Sequence, residues 1–427
     1  MQDTDILIVG AGILGLASAY HLKQEHPEES ILLVDRNSAA GQGNTAKSAA
    51  LFRNVFSSPT NFMLADSSVE FYLHAQNELG YDLGLRKLGY MWLLSRKQHQ
   101  RYVSLFDEMM KNDVELKTFE KEDLTRMIPG INLEFDPDDE EAKILGLENI
   151  EKGVLGVKCG QLDVDALVRF YEGQIRKLGV STQYNTSVSE LVLEPKEKLG
   201  LPGEPYVWQD QRIAGVRTNG REISARTVIL ALGAWTPSML DPVGIDSHVK
   251  PKKRQLFSAK GSTLEPLLNI TGFNQENTIP MTIIPNPGMF IIPVKSETAF
   301  WIGCADDVGR AYKLEEDPQA EQDYYHQIYM VLKNYFPHFT NIRPTTMWAG
   351  LYADNSIDGN PNIFRGGEAI IVTGASGSGI LKADSIGRIT AALYGGEEYA
   401  ELYGARRFKV SDLSIKERNV KKERFII

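Results

Sequence analysis

Three glycines, Gly10, Gly12 and Gly15, stand between a short apolar run, Ile6 to Val9, and a stretch in which small and apolar residues recur at helical spacing as far as Leu22. Strand, glycine turn and helix in that order form a seat for a pyrophosphate. Gly10 allows the tight turn, Gly12 lets phosphate oxygens approach the backbone, and Gly15 lets the helix close on the strand. The start of the helix then offers unpaired N–H groups and the positive end of its dipole. A second apolar run, Ile31 to Val34, ends at Asp35, where a carboxylate accepts hydrogen bonds from an adenosine ribose, with Arg36 next to it. We therefore expect a dinucleotide along Gly10, Ala11, Gly12, Ile13, Leu14, Gly15, Asp35 and Arg36. The competing assignment is a signal peptide or membrane anchor over residues 6–22. Asp3 and Asp5 ahead of the run, and the glycines within it, oppose that assignment.

Stepping outward from these residues, the chain has 427 positions, 42% hydrophobic and 24% charged, which is enough for two domains with sizeable cores. Its net charge of −10 argues against a nucleic-acid partner, since phosphate backbones need a concentrated positive surface. Cys159 and Cys304 show no CxxC or metal spacing, so no metal is expected and a reducing, cytoplasmic setting is. No later stretch is long and apolar enough to cross a bilayer. The basic tail from Arg406 to Arg424, ending in Phe425-Ile426-Ile427, is expected to be solvated; the other use of it is a peripheral membrane contact or a subunit contact, a homo-oligomer included.

After Asp35, the segment Ala39 to Asn54 is rich in small residues, and Gly43, Asn44, Thr45 and Ser48 can bring backbone close to a cofactor. Helices are predicted over Phe62–Leu79, Gln98–Met110, Val164–Leu178 and Asp323–Tyr335, with a surface acidic loop at Glu134–Glu141. Strands are predicted at Leu88–Leu94, Val180–Tyr184 and Val188–Leu193, then a hairpin around Asn219-Gly220 from Ile213–Thr218 to Glu222–Ala225. A separate buried strand, Thr227–Leu232, leads into Gly233-Ala234-Trp235. From Asp241 to Arg343 the alternation of helix and strand lapses, with strands at Gln255–Ala259, Met289–Pro293 and Phe300–Cys304. That is the pattern of a sheet-rich second domain. Glycine chemistry returns at Asp358-Gly-Asn-Pro361, a strand Ala369–Val372, Gly374 and Ser376-Gly-Ser-Gly379, followed by a helix.

Taken together, four signatures resemble those of the flavin-dependent amine and amino-acid oxidoreductases of the D-amino-acid oxidase superfamily, and most closely the sarcosine oxidase and glycine oxidase branch. They are the Gly10–Gly15 turn with Asp35, the segment ending at Arg53, Val228-Ile-Leu-Ala-Leu-Gly-Ala-Trp235, and Asp358–Pro361 with Gly374–Gly379. The resemblance implies an α/β fold: a Rossmann-like FAD-binding domain assembled from 1–85, 155–240 and 345–427, with an α+β substrate domain, 86–154 and 241–344, built on a large antiparallel sheet. It adds Val188, Ala231, Gly233, Trp235, Gly350, Gly377, Ser378, Gly379, Ile380 and Leu381 to the cofactor residues. N–H groups near Ser378 and Gly379 would stabilise the anion that develops at flavin N1.

On the same resemblance, Arg53 grips a substrate carboxylate, a task suited to a planar guanidinium that is always charged. Tyr352 falls at an active-site tyrosine, and Lys382 one position beyond a second carboxylate-binding lysine. Phe290 and Trp301 are expected to line the substrate pocket. Two departures carry consequences. Gly350 replaces the cysteine that attaches flavin in sarcosine oxidases, so FAD is expected to be non-covalent. Ala299-Phe-Trp301 replaces the strand carrying an oxygen-activating lysine, and Ala305 a catalytic histidine, so a dehydrogenase is expected over an oxidase. The implied reaction is oxidation of the C–N bond of a sarcosine-, glycine- or proline-like amino acid by hydride transfer to flavin N5, with oxygen, a quinone or an electron-transfer protein as acceptor. Two alternatives are a 2-hydroxy-acid or glycerol-3-phosphate oxidoreductase, for which His248 would be the base, and a flavin-bearing subunit of a larger electron-transfer complex.

Overall fold

The first strand, Thr4–Val9, is wholly apolar after its polar start and lies between two parallel neighbours, Glu222–Leu230 and Ile31–Val34. Continuous apolar runs of this kind mark strands covered on both faces. In the computed structural model, which describes residues 3–285, 288–306 and 308–425, these strands form the centre of an eight-stranded sheet. Its path runs Asn362–Gly366, Ala369–Thr373, Glu222–Leu230, Thr4–Val9, Ile31–Val34 and Ser181–Gln183, parallel except at the first pair. The predicted hairpin is present as Gln211–Thr218 with Glu222–Leu230. The second arm and the buried strand after it, expected as two strands, are one: its first half pairs in the hairpin and its second half in the parallel sheet.

Helices cover one face of this sheet. Ile13–Glu25 packs beside the last long helix, Gly379–Gly395, with Val164–Lys177 and Pro59–Asn77 against them. The close pair is tied by a buried polar contact. His21 Nε2 lies 2.7 Å from Asp384 Oδ1, and Arg388 Nε donates to Asp384 Oδ2 at 2.8 Å. Helix Pro59–Asn77 begins before the predicted Phe62 because Ser58 caps it, accepting from the Asn61 N–H, and Pro59 occupies the first turn.

A second eight-stranded sheet carries its own core of Ile, Leu and Phe side chains. Its order is Pro344–Asn355, Val249–Lys260, Ala299–Cys304, Met289–Val294, Met281–Ile283, Tyr90–Ser95, Ile150–Gly156 and Leu116–Glu120. All neighbours are antiparallel except Met281–Ile283 with Tyr90–Ser95. Residues 345–355, expected in the FAD-binding segment, belong to the strand Pro344–Asn355, which pairs with Val249–Lys260 as the edge of the second sheet. The acidic loop expected at Glu134–Glu141 instead runs into a short helix, Glu140–Leu145, capped by Asp139.

The basic tail is also different from expectation. It is anchored at two points, while Lys416, Lys421, Lys422 and Arg424 stay exposed: Arg418 is clamped to Asp358, and Phe425 is 1% exposed, with its ring against Trp92, Tyr102 and Phe106. Among the described residues no helix is long and apolar enough to cross a membrane.

Candidate active site

Between the two sheets lies a cavity of about 1140 Å³, above the usual range of roughly 300–1,000 Å³ for small-molecule sites. One end is the glycine turn. Gly10 has φ +108°, and a Cβ there would stand 2.5 Å from the Ala231 carbonyl oxygen; a Cβ on Gly15 would stand 1.9 Å from the Gly10 oxygen. Gly10, Gly12, Ile13 and Leu14 face the cavity, whereas Ala11 and Gly15 lie behind it and set the packing. Thr45 Oγ1 accepts the Ile13 N–H at 3.1 Å, so one donor of the helix start is taken by the small-residue segment. Asp35 lines the cavity with its Oδ2 accepting the Ala11 N–H and its Oδ1 the Asn37 N–H. Arg36 stacks over the Trp235 ring, 4.4 Å from its centroid, beside Val188, Ala231 and Gly233.

The small-residue segment is stitched to the second sheet. Asn44 Oδ1 accepts the Leu351 N–H at 2.8 Å, and Trp348 Nε1 donates to the Lys47 carbonyl at 3.0 Å. Gly43, Asn44, Thr45 and Ser48 all line the cavity, as does Gly350, where a Cβ would stand 3.2 Å from that of Lys47. At the opposite wall Gly377, with φ +78°, accepts the Tyr352 ring so closely that a Cβ would lie 2.2 Å from it. Gly379, Ile380 and Leu381 then open the last long helix toward the cavity, with Ser378 as its first flanking residue.

Arg53 follows the two-residue strand Leu51–Phe52, which pairs with Gly160–Gln161 and so aims the side chain into the cavity, 4.4 Å over the Phe56 ring. Lys382 is 1% exposed, and its Nζ donates to Asn61 Oδ1 at 2.6 Å and Ser378 Oγ at 2.7 Å. Burial, and then repulsion from Arg53, bring the Lys382 ammonium down to about 7, opposed by Glu423 and Asp358. Tyr352 is 38% exposed, with the Arg254 guanidinium 5.4 Å from its ring centre. Arg53, Tyr352 and Lys382, far apart in the chain, thus share one cavity with the glycine turn.

Some expected residues are elsewhere. Phe290 lines the cavity, but Trp301 does not; it packs edge-on against Trp348, which does. His248 sits outside the cavity at the surface, 3.4 Å from Asp246, and no histidine lines the cavity among the described residues. Positive charge is not lost with the lysine missing from Ala299–Gly303: Lys252 and Arg254, from the neighbouring strand Val249–Lys260, line the same cavity, with Arg254 paired to Asp306 at 3.0 Å. Sequence reasoning missed Asn61, Glu423 and Lys422 in the lining altogether. No local motif marks them, because only the fold brings them there.

Two helix starts, an acidic residue beyond the second strand and open backbone at Gly43 and Gly233, where a Cβ would meet nothing within 4 Å, suit an elongated dinucleotide. The buried Trp235 Nε1 has no hydrogen-bond partner among the described residues and is left for a ligand. Fold and site define a flavin-dependent oxidoreductase of the two-sheet type. Residues 5–393 match the family model described as FAD dependent oxidoreductase (DAO), and the chain belongs to that family. The FAD-dependent oxidoreductase domain-containing protein 1 of Xenopus laevis is 24% identical, over 92% of this chain and 79% of its own length. Sarcosine oxidase subunit beta of Rhizobium meliloti is 21% identical, over 84% and 76%. In fold, the chain is similar to L-proline dehydrogenase from P. horikoshii (TM-score 0.73, 19% identity, 93% of this chain and 94% of that one). It is equally similar to glycine oxidase from Geobacillus kaustophilus (TM-score 0.74, 17% identity, 97% and 98%).

Proposed function

We propose that this FAD-dependent enzyme oxidises the C–N bond of a small amino acid or N-substituted amino acid of sarcosine, glycine or proline type. The observation that supports it is the pair of cations, Arg53 and Lys382, in the same cavity as the glycine turn. FAD supplies the two-electron acceptor for the α C–H bond. Arg53 holds the substrate carboxylate through two parallel N–H groups, and Lys382 adds a second, titratable charge. Tyr352 and Phe290 give the apolar walls that orient the carbon skeleton, and orientation is where most of the rate originates. With the amine bound neutral, no side chain has to act as a strong base.

Oxidation of an alcohol instead would require a base for the hydroxyl proton, and His248, the histidine expected for that task, lies outside the cavity. The electron-relay reading has the basic tail as its sequence support, and that tail is anchored to its own chain through Arg418 and Phe425. An anaerobic bleaching screen of the yellow holoenzyme against amino acids, N-methyl amino acids and hydroxy acids tests the proposal. Decolouration by an α-amino acid is expected; decolouration by hydroxy acids alone would overturn it. Mixing the reduced enzyme with oxygen in a stopped-flow instrument then identifies the acceptor class.

A further inference from the structure

We propose that the segment Arg418–Phe425 is a strap that completes the substrate end of the cavity, and that Glu423 is a positioning residue which orients Asn61 and, through it, Lys382. The proposal rests on reading Arg53 and Lys382 as a grip for a carboxylate.

The strap is fixed at both ends to different bodies. Arg418 Nε and Nη2 donate to the two Asp358 carboxylate oxygens at 2.6 and 2.7 Å, beside the first sheet. Phe425 is buried among Trp92, Tyr102 and Phe106, which belong to the second sheet and the helix Arg96–Lys111. Between these anchors Lys422 and Glu423 line the cavity. Glu423 is almost fully committed. Oε1 accepts from the N–H and hydroxyl of Ser57 and from the Phe425 N–H; Oε2 accepts from the Ser58 N–H at 3.2 Å and from Asn61 Nδ2 at 3.3 Å.

Asn61 is the link. A side-chain amide has one acceptor end and one donor end, and which way it points follows from its partners. With Nδ2 given to Glu423, Oδ1 is turned toward the Lys382 ammonium. Without the carboxylate the amide is free to turn, and its NH₂ then donates to Lys382 only when that side chain is the neutral amine. The charged groups acting on Lys382 are Arg53, from the loop before helix Pro59–Asn77, Asp358, from the turn that Arg418 clamps, and Glu423 itself. Glu423 thus offsets two neighbouring cations and sets the hydrogen bond that favours the protonated form of one of them. Burial works to raise the Glu423 carboxyl, yet the Ser57 donors and Arg53 hold it below the usual glutamate range, so it stays an anion near neutrality.

Benzoate, a carboxylate with no oxidisable amine, is titrated into the holoenzyme on either side of neutrality and followed by flavin absorbance. In the wild type its affinity falls as pH rises through the Lys382 titration. In E423Q the fall moves to lower pH by about one unit, the size typical of losing a nearby opposite charge. N61A moves it in the same direction while leaving the strap's other bonds, Glu423 to Ser57 and Ser58 and Arg418 to Asp358, in place, so the measurement survives if E423Q fails to fold. E108Q, which breaks only the outer pair with Arg424, leaves it in place. A wild-type profile in either N61A or flavin-loaded E423Q overturns the strap's role alone. Wild-type enzyme that binds no benzoate overturns the carboxylate grip and the inference with it.

Discussion

At the scale of single residues, the cavity places a permanent cation and a titratable one side by side. An arginine brings a planar, delocalised fork that matches a carboxylate, and Arg53 supplies it here. Replacing it with Met should lower kcat/KM for the amino acid found in the bleaching screen by about 10- to 100-fold, the equivalent of one hydrogen bond to a charged group at ~1.5–3 kcal/mol. Lys382 behaves differently because burial and Arg53 depress it to about 7. A cation with a lowered pKa is charged below that value and neutral above it. Benzoate affinity should therefore be greatest below pH about 7 and decline above it, while K382M should show a weaker and flatter profile; flavin absorbance titrations read both. That Arg53 carries a charge was legible from its type; the surroundings of Lys382 were not, since they are brought from residues 53, 358 and 423.

At the scale of elements, the glycine turn and the helix after it are a unit in which one extra methyl group is too much. A Cβ on Gly15 would press to 1.9 Å from the Gly10 carbonyl oxygen, which is backbone and cannot swing away. Gly15→Ala should push the helix Ile13–Glu25 off its strand, at about 1–3 kcal/mol for overpacking, and reduce flavin content. Thermal melts and the absorbance of the purified protein check it; a variant as yellow and as stable as the wild type would contradict it. The strand, turn and helix here were readable because period and glycine spacing are local. The edge strand Pro344–Asn355 was not, since its residues pair with Val249–Lys260, from which about eighty residues of sequence divide it. The single strand Glu222–Leu230 was misread as two for a related reason. It changes partners halfway, from the hairpin to the parallel sheet.

At the scale of the whole molecule, two sheets enclose a cavity that neither could form alone, and a cofactor between them should couple their stability. Adding FAD to the apoprotein should raise its melting temperature, as any ligand of the folded state does; at a hundred times Kd the gain is ~2.7 kcal/mol. With Gly350 at the wall, FAD should also stay in the supernatant when the protein is precipitated with acid, and colour in the pellet would show a covalent link.

The sequence by itself determined the dinucleotide turn and the existence of a second, sheet-rich body, because these depend on residue types at short spacing; the flavin family came from the resemblance of four signatures spread along the chain. Only the tertiary structure decided which side chains share the end of the cavity around Arg53. Asn61, Lys382 and Glu423 meet there through helix packing and a bound strap, and such meetings follow from long-range burial, which leaves no periodic trace along the chain.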